Sequence, residues 1–158
     1  GLRIKTRRGR GGAVANISLV DCRMDQVVTP VAVNAFYFCD ADGLSDYVQS
    51  RRPLPVTPET PGLSGLTLRN IEVTAAHTAA AVFYGLPEAP IRDVVIENYR
   101  VTFDPHAEPQ IAEMASNLPA LRHAGIIAEN TLFKTLSGLT PQSIYPTEND
   151  RAHAEQLL

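Results

Sequence analysis

A chain of 158 residues with 44% hydrophobic content holds enough apolar material for one domain with a real core, and too much for a disordered segment. Its net charge of −3 is unevenly spread, because residues 1–10 carry Arg3, Lys5, Arg7, Arg8 and Arg10 and no acid. One basic patch on an acidic body argues for a local anion site, whereas a nucleic-acid surface wants a broadly basic domain. No apolar run nears the length of a spanning helix, and the N-terminus has no signal-peptide apolar region, so neither a membrane nor nucleic acid is an expected partner.

The first element predicted is a strand. Leu2, Ile4 and Thr6 alternate with Arg3 and Lys5, the period of two that sends successive side chains to opposite faces. Arg3 and Lys5 then stand about 7 Å apart on one surface, at roughly 3.3 Å of rise per residue. That spacing suits an anionic ligand such as a carboxylated sugar, a phosphate or a nucleic-acid backbone, with Arg able to bind bidentately and Lys acting as a point charge. A solvated strand edge guarded by charge has the same pattern. Arg7-Arg8-Gly9-Arg10-Gly11-Gly12 looks like an RNA-binding Arg-Gly segment, but no aromatic residue is interleaved to stack bases, and it is read as a turn.

A repeat follows. Ile17-Ser18-Leu19-Val20-Asp21-Cys22-Arg23-Met24, Leu66-Thr67-Leu68-Arg69-Asn70-Ile71-Glu72-Val73 and Val94-Val95-Ile96-Glu97-Asn98-Tyr99-Arg100-Val101 share one pattern, apolar-x-apolar-x-Asn/Asp-apolar-x-apolar, at offsets of 49 and 28 residues. The alternation is that of strands, and the Asn/Asp tolerates a left-handed backbone where the chain turns a corner between two short ones. Stacked in parallel, such units bury apolar faces that one unit cannot bury alone, which predicts an all-β solenoid, or β-helix; a β-sandwich is the alternative. Residues 40–65, with Pro53, Pro55, Pro58 and Pro61, form a long excursion whose Arg51 and Arg52 either extend the positive site or are solvated. Helical composition is confined to residues 108–122, where Pro109 and Pro119 restrict it to something short. Phe133-Lys134-Thr135-Leu136 is a candidate last strand, so that residues 1–140 form the coils and 141–158 a polar tail, with a terminal helix turn at 152–158 that could cap the coil.

Other constellations are weaker. Asp40-Ala41-Asp42-Gly43 and Asp46 begin like a calcium loop but lack the downstream bidentate glutamate, and His77, His106, His123 and His153 are scattered. Cys22 and Cys39 provide neither a disulfide framework nor metal-ligand spacing, so no cofactor or metal is expected. If the first repeat offset holds, Tyr37 and Tyr84 lie on neighbouring coils, either on the rim of a groove or in packing.

The run Arg3-Ile4-Lys5-Thr6, followed by glycines and Val14-x-Asn16-Ile17, resembles the Arg-Ile-Lys motif of the polygalacturonases, glycoside hydrolase family 28. The likeness continues through Pro30 to Phe38 and on to Phe83-Tyr84-Gly85-Leu86-Pro87-Glu88, and covers roughly residues 1–130. It implies a right-handed parallel β-helix and inverting hydrolysis of α-1,4-galacturonosyl bonds in pectin-type acidic polysaccharide (galacturonan), in an extracellular or periplasmic setting. It places the substrate carboxylate on Arg3 and Lys5, and a tyrosine of the same subsite on Tyr37. The family's Asn-x-Asp, Asp-Asp and Gly-His-Gly motifs are missing, so the resemblance implies a C-terminal part that binds substrate and is inactive alone. The alternative is a non-catalytic β-helix module that binds acidic polysaccharide or another protein.

Overall fold

The computed structural model describes residues 1–141, 144 and 145. The elements in chain order are β1 (Leu2–Lys5), β2 (Ala13–Asp25), β3 (Val31–Asn34), α1 (Asp46–Gln49), β4 (Gly62–Ala76), β5 (Ala79–Tyr84), β6 (Ile91–Phe103), β7 (Ala124–Glu129) and β8 (Thr131–Thr140). The chain is all-β. Its strands form two four-stranded sheets, β1-β3-β5-β7 and β2-β4-β6-β8, and every pairing is parallel. Successive strands alternate between the sheets, so each strand pairs with the one two places on.

The repeat sets the register of the long sheet. Ile17 pairs Leu66 and Leu66 pairs Val94, so the offsets read from the sequence are the offsets of the ladder. Its corner residues, Asp21, Asn70 and Asn98, take positive φ values of 56°, 55° and 51°, where a short polar side chain is tolerated better than a bulky one. Their side chains then stack. Asn70 Nδ2 donates to Asp21 Oδ1 at 2.8 Å, and Asn98 Nδ2 donates to Asn70 Oδ1 at 3.0 Å. Gly138 continues the row in β8 at φ 60°, where a Cβ would meet both the side chain and the backbone of Asn98. A second row of left-handed corners runs through Asn16, Gly65 and Asp93.

Inside the corners the apolar positions form rungs. Leu19, Leu68, Ile96 and Leu136 stand in one row, and Cys22, Ile71, Tyr99 and Leu139 in another. Leu68, Ile96, Tyr99 and Leu139 are completely buried. Tyr99 spends its hydroxyl on the Ala80 carbonyl at 2.6 Å, which satisfies the polar end of a buried ring. The inward residues of β2, among them Ile17, Leu19 and Met24, are only half-buried, because among the described residues nothing pairs with the outer edge of β2.

The structure corrects one expectation, the place of the helix. Residues 108–122 form no helix: Ala112 is buried, and Met114, Ala115, Leu118 and Leu121 pack against the core from an irregular segment closed by a Gln110–Leu121 bridge. The helix is α1, four residues long and capped by Ser45 Oγ accepting from Val48 N, too short to carry a helical period. Tyr84 pairs with Asn34 on the neighbouring strand β3, three residues before Tyr37. Residues 142, 143 and 146–158, most of the tail and the expected helix turn at 152–158, lie outside the described residues. No helix among the described residues is long and apolar enough to cross a membrane.

The corner row predicts an ordering of variants. Asn70→Ala places a Cβ-bearing residue without a compensating hydrogen bond in the left-handed region, and should be less stable than Asn70→Gly by about 1 kcal/mol. Thermal unfolding of the two proteins checks it, and the reverse order would mean that backbone conformation does not govern the corner.

Candidate functional site

Alternation on β1 decides which cations reach solvent. Ile4 and Thr6 turn inward at 8% and 7% exposure, so Arg3 and Lys5 project from the opposite face. Tyr37 comes to this face by way of the backbone: Arg7 and Phe36 form an antiparallel bridge, and Tyr37 N donates to Thr6 O at 3.1 Å. The Lys5 ammonium then lies over the Tyr37 ring, 4.7 Å from its centroid, with Phe38 tilted against Tyr37 at 5.5 Å. Such a contact contributes about 0.5–1 kcal/mol at an exposed site, enough to hold the ammonium in place while its N–H donors stay available.

Among the described residues no acid pairs with Lys5. Arg3, more than half exposed, has one loose ion pair, Nη2 to Glu113 Oε1 at 3.8 Å. Glu113 Oε1 also accepts from Thr29 N at 3.3 Å, and its buried Oε2 has no partner. The three residues singled out in the sequence thus lie together, as two cations with unspent hydrogen-bonding capacity beside an aromatic face. This arrangement can hold a carboxylate or another small anion.

The basic patch is smaller than charge counting suggests. Arg7 is buried and clasped by Asp42, at 2.8 and 3.1 Å, and by Asp40 at 3.1 Å, while Arg10 binds Asp40 at 2.8 Å. Hydrogen bonds from Arg10 and Arg7 pull Asp40 down to about 2. The acidic turn therefore anchors the arginines. Among the described residues no group of three His, Cys, Asp or Glu could hold a metal ion. Arg51 does not extend the site either. Its guanidinium lies 3.8 Å over the Phe36 ring and 5.8 Å from that of Tyr84, and pairs with Glu129 at 2.7 Å. Tyr84 is itself buried, and burial, with Glu129 nearby, pushes its pKa up to about 12.

The residue that sequence reading missed is Arg8. It is 1% exposed, donates to both oxygens of Glu88 at 2.6 and 2.9 Å, and donates to the carbonyls of Tyr47, Val48, Ser50 and Arg52. Every partner lies at least 39 positions away in the chain, beyond the reach of any local window. Arg8 does not touch a ligand-accessible surface; it ties the 40–61 excursion to the chain just past β1. Burial raises the Glu88 pKa, but hydrogen bonds from Arg8, the Glu88 and Leu54 backbone and the attraction of Arg8 outweigh it, and the net shift is downward. A concavity of about 560 Å³ on the other sheet, lined by Asp21, Arg23, Asn70, Glu72, Asn98 and Arg100, lies away from Arg3 and Lys5 and spends most of its polar groups internally.

Removing one partner of a buried pair strands the other charge, so Glu88→Gln should cost about 3–5 kcal/mol by chemical denaturation. The pH dependence has a definite sign. Glu88 titrates below its ordinary 4.5 when folded, so its stabilisation is whole above about pH 4.5 and is lost as the pH falls through the folded value. The variant should lose that part of the acid limb of its stability profile, and an unchanged limb would show that Glu88 does not set it. Comparison of the chain with family models, with curated proteins and with solved structures gives no match.

Proposed function

We propose that the two sheets are faces of a right-handed parallel β-helix, and that the chain supplies the substrate-carboxylate site of a polygalacturonase-like glycoside hydrolase. Strands that alternate between two parallel sheets, with stacked Asn/Asp corners, support the fold. The functional reading rests on one observation: Lys5, with no acid paired to it among the described residues, is held over Tyr37 on the face that also presents Arg3.

In inverting hydrolysis one carboxylic acid protonates the leaving oxygen and another carboxylate activates water. Arg3 and Lys5 hold a galacturonate carboxylate beside the bond and offset its charge as the transition state forms, with Tyr37 against the sugar. The acid and base are assigned to none of these 158 residues, since the motifs that carry them in the resembled family do not occur here. A non-catalytic module binding acidic polysaccharide is the second reading. It is favoured by the fact that the carboxylate brought to Arg3, Glu113, is already engaged by Arg3 and Thr29. Release of reducing ends by the 158-residue chain itself would overturn the assignment of binding alone.

Calorimetric titration with trigalacturonate tests the site. Arg3→Ala and Lys5→Ala should each weaken binding about tenfold, the low end for hydrogen bonds to charged groups because both side chains are exposed. Unchanged affinity in both variants would remove the site. Glu113 competes with the ligand for Arg3, so Glu113→Gln should tighten binding about two- to threefold, in keeping with the small value of an exposed pair; weaker binding would mean that Glu113 supports the ligand.

A further inference from the structure

We propose that the Arg3–Lys5 face receives the end of an acidic polysaccharide chain and excludes its interior, an inference that rests on the reading above. The strand register gives the reason. Arg3, Ala32, Val82 and Ile127 stand in one row across the short sheet, and Lys5, Asn34, Tyr84 and Glu129 in the next. Were that face open, the rows would offer a floor about 14 Å wide over four strands roughly 4.8 Å apart, on which a polymer could lie in either direction.

The floor is roofed one strand beyond β1. Ala32 and Val82 are 1% exposed, Asn34 is 2% and Tyr84 is 3%, and every residue of β3 and β5 is buried. Two segments form the cover. The 104–123 segment is fixed from below by Asn34, whose Nδ2 donates to Met114 O at 2.5 Å, and by Thr29 N on Glu113. The 40–61 excursion lays Arg51 over Phe36 and Tyr84 and fastens it to Glu129. Arg8 anchors the foot of that excursion.

A sugar chain crossing from β1 toward β3 therefore meets a wall after about one strand spacing, some 4.8 Å and close to the length of one sugar unit. The wall also carries charge of the wrong sign: a uronate placed beyond Arg3 would face Glu113, whose buried Oε2 already lacks a donor. Both covering segments stand on the β3 side of β1, so a polymer held at Arg3 and Lys5 has no way on in that direction. One terminal residue fits against Arg3 and Lys5, and the rest of the polymer leaves past β1.

Calorimetry of the 158-residue chain with galacturonates from three residues to about a hundred decides the matter. The expected result is one protein bound per sugar chain at every length, with affinity reduced at least tenfold when one terminus is blocked. Reduction of the reducing end and 4,5-unsaturation of the other identify which terminus enters. Protein bound in proportion to polymer length, and indifference to both end modifications, would overturn the inference while leaving the carboxylate site standing. Absence of binding to every galacturonate would overturn the site itself, and this inference with it.

Discussion

Parallel stacking in fixed register is the constraint on which the structure depends. A strand such as β4 has an apolar side that only its neighbours β2 and β6 and the facing short sheet can bury, so no element is stable alone. Each long strand must also bend without losing register, and the left-handed residues at Asp21, Asn70 and Asn98 allow this. Because the bends fall at equivalent ladder positions, their side-chain amides and carboxylate hydrogen-bond to one another and not to water alone. Rungs and corners thus enforce the same alignment, one through apolar burial and the other through polar pairing.

The candidate site is a by-product of that alignment at the edge of the short sheet. β1 contributes two outward cations because its inward residues are claimed by the interior. What covers the short sheet beyond β1 comes from the excursions. Buried charge is expensive, and Arg8 is tolerated at 1% exposure because a carboxylate and four backbone carbonyls surround it. The same contacts hold one roof segment in place, while Asn34 and Thr29 hold the other. Charge neutralisation thereby divides five neighbouring cations into two sets. Arg7, Arg8 and Arg10 are structural, while Arg3 and Lys5 keep donors for a ligand.

Much of the architecture was legible from the residues, because strand alternation and the repeat offsets are local or nearly local signals. Ile17, Leu66 and Val94 occupy equivalent positions in the sequence pattern for the same reason that they pair in the ladder: each must be inward at the same distance from a corner. The outward placement of Arg3 and Lys5 follows from the same period of two. The irregular 104–123 segment misleads, since its spaced alanines, leucines and methionine suit a helix face and a core-packed cover equally well. Tyr84 on β5 and Tyr37 just past β3 belong to neighbouring strands of the short sheet, but they stand 47 residues apart where that ladder's offset is 50, so they are not partners in register.

The sequence by itself determined the all-β class, the register of β2, β4 and β6, their corners at Asp21, Asn70 and Asn98, and the face from which Arg3 and Lys5 project, since each follows from periodicity or intrinsic backbone preference. Only the tertiary structure decided which cations are spent. The acids that neutralise Arg7, Arg8 and Arg10 lie from 30 to 80 residues away, and Arg51 and Glu113 of the segments that roof the short sheet lie 46 and 108 residues beyond Lys5. Coulomb attraction and burial act through space, so a charge count along the chain assigns all five cations to one patch, where the fold leaves two.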